Sequence, residues 1–400
     1  MKVLQINALI GRGSTGVIAK DIGTQLVNNG YEAFYASPEI CNTDSTYKIG
    51  NRLDHKLHAF LCRILGLQGY FSIFPTLKFI KWIKKLRPDN IQIHNLHSNY
   101  INYKILFSYI RKNKIRTIVT LHDCWFFTGK CFHYLYNGCE KWKDCCGNCP
   151  RLHAEQNSMF FDRTKKVLTD KKRFIGQNES VEFVAVSDWI AAQASRSIIK
   201  NRKFTVIHNG IDLNVFYPRN TLNSFFDKFT DKFVILGMAN KWLYEENIDT
   251  FKYIADNLSD DEVVLLVGCS ENQKKSLPEN VVGISFADSD FLAQLYSRAD
   301  VVVNLTKVDT YPTVNMEALA CGTPVVTFDS GGSKESVIDG KTGYVVEFGY
   351  KKAILDSINQ VHINGKSRYA DICREYAIAN FNKKTCYSKY IRLYENLEVK

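Results

Sequence analysis

No run of about eighteen apolar residues occurs in the 400-residue chain, so nothing in it reads as a membrane-spanning helix. The N-terminus, Met1-Lys-Val-Leu-Gln-Ile-Asn, lacks the long apolar core of a signal peptide and reads as a first strand. Both absences predict a cytoplasmic protein. No short-period repeat and no low-complexity segment is present, which excludes repeat architectures. Acidic residues are in deficit, 41 against 52 basic ones. The resulting net charge of +11 implies an acidic partner: a phosphorylated substrate, an anionic membrane surface or nucleic acid. From Lys56 to Arg87 there is no acid at all. The rest is ordinary: 45% hydrophobic and 23% charged residues describe a soluble globular chain of two or three domains.

Short apolar runs alternate with amphipathic stretches. Strands are predicted at Val3–Ile6, Ala33–Ala36, Ile91–His94, Thr117–Leu121, Glu182–Val186 and Thr205–Ile207. A second series follows at Phe233–Gly237, Val263–Val267, Val281–Ile284, Val301–Asn304, Pro324–Thr327 and Gly343–Val346. Helical patterns lie between many of them, for example Val17–Asn28, Leu77–Leu86 and Thr250–Asn257. Two such series imply an α/β protein with two Rossmann-like, doubly wound parallel-sheet domains. Their join is expected near Asp212–Asp231.

Asp309-Thr-Tyr311-Pro312-Thr313-Val314-Asn-Met-Glu317-Ala-Leu-Ala-Cys-Gly322-Thr-Pro324 sets two carboxylates eight positions apart. A short helix is predicted to begin between them near Val314. A helix start offers unpaired N–H groups and a positive dipole end to a diphosphate, and carboxylates accept hydrogen bonds from sugar hydroxyls. Gly331-Gly332-Ser-Lys-Glu335 follows. This constellation resembles the donor-site signature of retaining glycosyltransferases of the GT-B fold, family 4. That signature is Glu, seven residues, Glu, Ala-x-Ala-x-Gly-x-Pro-Val, then Gly-Gly-x-x-Glu, and here Asp309 replaces the first Glu.

The resemblance implies two domains facing a central cleft. The first, residues 1–215, would be acceptor-side. It would carry a Cys-rich insertion at about 123–180, and a C-terminal helix over 384–400 would pack back on it. The second, residues 216–383, would bind the nucleotide sugar. The resemblance also implies retention of configuration and no divalent metal in the chemistry. By it, Glu317 contacts the ribose and Asp309 the transferred sugar. N–H groups at Tyr311–Val314, with Lys241, hold the diphosphate. Gly13 and Ser14, in the glycine-rich Gly11–Gly16 loop, face phosphate and acceptor. His122, after a strand, orients the sugar, and His94 and His97 line the acceptor side. Asn209-Gly210 is expected to form a turn. Glu246 and Asn247 stand where the family places Lys and Gly. A carboxylate repels a diphosphate, so Lys241 is expected to reach the phosphates instead, a displaced loop or reduced activity being the alternatives.

Five of the 12 cysteines fall within Cys131–Cys149. Cys131, Cys139, Cys146 and Cys149, ending in Cys-x-x-Cys, suit a structural zinc stiffening a loop expected to lack its own core. Free reduced thiols are the alternative. The stretch from Leu121-His122-Asp123 to Cys149-Pro150 resembles bacterial capsule and exopolysaccharide glycosyltransferases. Lys56–Arg87 interleaves lysines with Phe71, Phe74, Phe79 and Trp82. It is equally a packed helix with solvated lysines or a face for an anionic inner-membrane surface.

The expected function is transfer of a hexosyl group from a nucleotide sugar to a saccharide acceptor, lipid-linked, in surface polysaccharide biosynthesis. A non-catalytic GT-B saccharide or nucleotide-sugar binder and a sugar-nucleotide epimerase remain as alternatives. Nucleic acid is not expected, since the cysteine spacing matches no finger module.

Overall fold

Most apolar runs named above become strands because helices cover both faces of each sheet, which lets near-continuous hydrophobic runs form a parallel array. The computed structural model describes residues 1–397 except 41 and 222, and leaves the side chains of Asn137 and Glu246 undescribed. The chain divides into two compact units, Met1–His208 with Tyr387–Lys400, and Asn209–Cys386.

In the first unit the strands are β1 (Lys2–Ile6), β2 (Glu32–Ser37), β3 (Thr46–Lys48), β4 (Asn90–Ile93), β5 (Arg116–Leu121), β6 (Val181–Ala185) and β7 (Phe204–Val206). Among the described residues they form one sheet in the order β3-β2-β1-β4-β5-β6-β7, every pair parallel. Val3, Leu4, Ile6, Ile91, Ile93, Ile118 and Val119 are fully buried at its centre. The second unit has β8 (Phe233–Met238), β9 (Glu262–Val267), β10 (Val281–Ile284), β11 (Val301–Asn304), β12 (Val325–Phe328) and β13 (Gly343–Val346), in the order β10-β9-β8-β11-β12-β13. Each sheet reverses its winding once, between β1 and β4 and between β8 and β11. In open parallel sheets the crevice at that reversal, beyond the carboxyl ends of the strands, is where ligands bind.

The structure departs from the sequence reading in several places. β3 was not predicted; it is a three-residue edge strand without an apolar run. Helix α1 (Gly13–Asn28) begins inside the glycine loop, four residues before the predicted Val17. The units part after His208, not near residue 215. The terminal helix spans Lys383–Tyr394, shorter than the expected 384–400, of which residues 398–400 lie outside the described residues. Within the first unit the Tyr394 hydroxyl donates to Gln92, and Arg116 Nη1 donates to the Tyr394 carbonyl at 3.1 Å. The predicted Asn209-Gly210 turn is instead a close approach: a Cβ on Gly210 would lie 2.6 Å from Lys383 Cα.

The cysteine-rich insertion has a core of its own, contrary to expectation. Short turns at Trp125–Phe127 and Lys141–Lys143 bury Trp125, Phe126, Phe127 and Trp142. Trp142 packs on Tyr134 with ring centroids 4.5 Å apart. No helix among the described residues is long and apolar enough to cross a membrane.

Candidate functional site

In the second unit, the loop after β11 carries Asp309 and leads into the helix Thr313–Ala320. Asp309 Oδ1 accepts from Tyr311 N–H at 3.1 Å, and its carbonyl accepts from Gly332 N–H at 2.8 Å. A Cβ on Gly331 would sit 2.2 Å from the same carbonyl, and its φ of +58° is left-handed. Glycine is therefore required there for the two loops to touch. Asn209 Nδ2 donates to the Tyr311 carbonyl at 3.3 Å, and the Tyr311 ring is buried.

These contacts correct one expectation. The Tyr311 N–H is taken by Asp309, and Pro312 has none. The backbone donors left open in this segment thus reduce to the first-turn N–H groups at Thr313 and Val314, which no side chain caps. At the far end of the helix Arg374 Nη1 donates to the Ala320 carbonyl at 2.8 Å, placing a cation on the negative end of the dipole.

Side chains on a helix lean toward its N-terminus, so Glu317 reaches back over the first turn. It accepts from the Tyr296 hydroxyl at 3.0 Å and from the Thr313 hydroxyl. Burial pushes its carboxyl up to about 7, with the two hydroxyls pulling the other way. A second carboxamide fixes the surroundings. Asn315 Oδ1 accepts from Asn304 Nδ2 at 2.8 Å, and Asn315 Nδ2 donates to Ser336 Oγ at 3.0 Å. That buried network joins β11, the helix and the turn Ser333–Ser336. Sequence reading missed it.

β8 lies beside β11, so the loop after β8 ends at the same edge. It forms the four-residue helix Ala239–Trp242, which contains Lys241. Trp242 Nε1 donates to the Val303 carbonyl at 2.8 Å, pinning this helix to β11. Asn247, at the family's glycine position, has a structural task. Its Nδ2 donates to the carbonyls of Lys241 at 2.9 Å and Leu305 at 2.5 Å, which ties the two loops together. The side chain of Glu246 lies outside the described residues.

In the first unit, Gly13 and Ser14 form the exposed first turn of α1, which lacks a side-chain cap. Gly11 N–H donates to the Gly16 carbonyl at 2.8 Å and closes the loop. Beyond β4 and β5 stand His94 and His122. His94 Nδ1 meets His122 Nε2 at 2.9 Å, and His94 Nε2 meets Gln5 Oε1 at 2.9 Å. Gln5 Nε2 donates to the Ala19 carbonyl at 2.8 Å, so its oxygen must face His94. His94 is therefore protonated on Nε2, and its Nδ1 accepts from His122 Nε2–H. Burial pushes His94 well below the usual imidazole range and His122 down to about 4. His94 is buried with both nitrogens engaged. It holds His122 in place and does not meet an acceptor itself, which corrects the acceptor-side reading. His97 is partly exposed, with Nε2 2.9 Å from Asp123 Oδ2.

Cys131, Cys139, Cys146 and Cys149 line one cavity of about 20 Å³, room for a single water-sized sphere. The N–H groups of Gly129 and Arg151 point at the sulfurs of Cys146 and Cys149. Two buried ammonium groups flank the cavity. Lys130 Nζ donates to the carbonyls of Arg151, Leu152 and Ala154 at 2.9, 2.7 and 2.9 Å. Lys171 Nζ donates to those of Trp125 and Thr128 at 2.5 and 3.0 Å. Four thiolates around Zn²⁺ would carry two negative charges, and the Lys130 and Lys171 side chains interact electrostatically with sulfurs of this cluster. Donor set and charge fit such an ion. Among the described residues no three of these sulfurs are drawn to within 4.8 Å of one another, so ligation requires side-chain rotation.

Residues 15–215 match Glycosyltransferase Family 4, and residues 225–379 match Glycosyl transferases group 1. The chain is similar over its length to WcaC of Escherichia coli (strain K12), provisionally named a colanic acid biosynthesis glycosyl transferase. Identity is 23% over 425 residues, covering 99% of this chain and 100% of that protein. Sucrose-phosphate synthase from Thermosynechococcus elongatus superposes with a TM-score of 0.72 at 17% identity, covering 99% of this chain and 98% of that one. Anabaena Alr3699/HepE, solved with UDP-glucose, gives 0.68 at 16%, covering 99% and 100%. These structural likenesses establish the GT-B fold. With the first match spanning half of the sequence, the chain belongs to the family 4 glycosyltransferases.

Proposed function

We propose that this glycosyltransferase moves a hexosyl group from a nucleotide sugar to a lipid-linked saccharide acceptor in bacterial surface polysaccharide biosynthesis. The reaction retains anomeric configuration and uses no divalent metal. It takes place in the cytoplasm, with the protein peripheral on the inner face of the membrane. The observation that carries this reading is the helix start at the β8–β11 reversal, flanked by Asp309 and Glu317. Likeness to WcaC supports the polysaccharide, and the HepE complex makes UDP-sugars the first donors to try.

Glu317 accepts from the ribose hydroxyls and Asp309 from hydroxyls of the transferred sugar. The N–H groups of Thr313 and Val314, with the Lys241 ammonium, stabilise charge on the leaving diphosphate. Gly13 and Ser14 offer backbone N–H groups to phosphate. His122 orients the sugar, and His97 lies on the acceptor side.

Calorimetry with a panel of nucleotide sugars tests the reading. One donor is expected to bind saturably and to release nucleoside diphosphate when membrane extract is added. No heat from any donor, with folding confirmed, would refute it; binding without turnover would make the chain a non-catalytic binder.

The four cysteines are proposed to hold a structural zinc with no part in the chemistry. Elemental analysis of untagged protein is expected to give close to one equivalent. Less than about a fifth of an equivalent would reject a tightly held ion, since structural sites bind with roughly 10–16 kcal/mol.

A further inference from the structure

Helix α2 (Arg52–Leu65) is solidly capped, with Asn51 accepting from Asp54 N–H and Asp54 from Asn51 N–H, yet its outer face is apolar. At 100° per residue Leu53, Leu57, Phe60 and Ile64 form one stripe, with Arg52, Lys56 and Arg63 along one flank. Leu53 is 76% exposed, and Leu57 and Phe60 are more than half exposed. The opposite face buries His58 and Cys62. Helix α3 (Ile73–Leu86) continues the pattern. Phe79, Ile80 and Ile83 are buried, while Ile73, Phe74 and Leu77 are exposed, Phe74 at 77%. Lys78, Lys81, Lys84 and Lys85 follow on its exposed side.

A third segment joins them. Met159 N–H donates to the Arg63 carbonyl at 2.6 Å, and the Phe161 carbonyl crowds Gly66, so Met159, Phe160 and Phe161 are held beside the end of α2. All three are exposed, Phe160 at 66%. Nine large exposed apolar side chains therefore sit on α2, α3 and the segment held beside α2, amid seven basic groups.

We infer that this side of the first unit is a docking surface for an anionic phospholipid bilayer, with Leu53, Leu57, Phe60, Phe74 and Phe160 entering the interface. The inference rests on the proposed lipid-linked acceptor and names the surface by which the protein reaches it. Charge decides the occupant. Apolar side chains fringed by lysine and arginine suit anionic headgroups. A second copy of this chain would set the same cations face to face.

A cavity of about 230 Å³ opens at the edge of this surface, between Ala59, Cys62 and Arg63 of α2 and the segment Glu155–Asn157. Asn99 and Phe132 line its inner wall. The Phe132 and His97 rings pack tilted, centroids 4.0 Å apart, and Gln156 Nε2 donates to the His97 carbonyl at 2.9 Å. Asn99 has a left-handed φ of 57°, and its buried Oδ1 accepts no hydrogen bond among the described residues. Such a buried, unsatisfied oxygen marks a place for a polar ligand. A head group carried in the bilayer enters there.

Vesicle flotation with the whole chain tests the docking surface. Phosphatidylcholine vesicles containing phosphatidylglycerol are expected to carry the protein, pure phosphatidylcholine at least tenfold less. High salt should release it. The pair Leu57→Asp and Phe74→Asp should reduce binding at least tenfold while donor calorimetry stays as in the wild type. Equal binding to neutral vesicles, no binding to either, or a solution dimer abolished by Leu57→Asp would overturn the inference. Asn99→Leu should retain vesicle and donor binding but transfer at least tenfold less sugar to lipid-extractable acceptor in membrane extract; wild-type transfer would remove the cavity's assigned role. Loss of donor binding in the wild type would instead count against the proposed reaction.

Discussion

Glu317→Ala is expected to lower turnover about a hundredfold or more while the protein stays folded. The side chain would supply two charge-assisted hydrogen bonds to a ribose diol, each worth roughly 1.5–3 kcal/mol. Nothing in the fold depends on its charge; burial raises its carboxyl to about 7 from the ordinary 4.5. The folded chain thus holds this proton more tightly than the unfolded one. Protonated Glu317 contributes stability that is complete below pH 4.5 and is lost as pH rises through about 7. Glu317→Gln removes that loss and should melt higher than the wild type above pH 7, and alike below pH 4.5.

Donor affinity should run the other way. A carboxylate accepts both hydroxyls, so wild-type affinity should fall about tenfold per unit below pH 7. The Gln variant should be flat over the same range. Wild-type turnover in Glu317→Ala would refute the assignment.

Gly331→Ala is expected to produce the second large effect. Its Cβ would meet a backbone oxygen, that of Asp309, at 2.2 Å, and no rotamer change relieves such a contact. The Asp309 loop must move, and turnover should fall at least tenfold. Gly340 supplies the control. Its φ of +70° is equally left-handed, but nothing lies within 4 Å of a Cβ there. Gly340→Ala should therefore cost about 1–2 kcal/mol of stability from backbone strain alone and leave turnover unchanged. If Gly331→Ala behaves like Gly340→Ala in a steady-state assay, the contact between the two loops does not position Asp309.

Strands with continuous apolar runs were legible because a two-sided parallel sheet demands them. β3 was not, since an edge strand of Thr46, Tyr47 and Lys48 buries too little to leave a pattern. The glycine pair at Gly331-Gly332 was visible as a motif, but its partner, the Asp309 carbonyl, was not. The same holds for Asn304 with Asn315, Gln5 with His94, and Asn247 with Leu305. Their hydrogen bonds join residues distant in sequence, and no local periodicity records them. The insertion misled for a related reason. Its aromatic residues looked like scattered loop positions, yet Trp142 and Tyr134 find each other only after the chain has turned twice.

The short bond from Gln5 to the Ala19 carbonyl has a reach beyond its own helix. By fixing which way the amide points, it dictates the direction of proton donation through both imidazoles, and leaves Nδ1 of His122 with a lone pair. Whatever group meets that nitrogen must bring a hydrogen. A main-chain oxygen in the first helix thus sets the polarity of a hydrogen bond two side chains away.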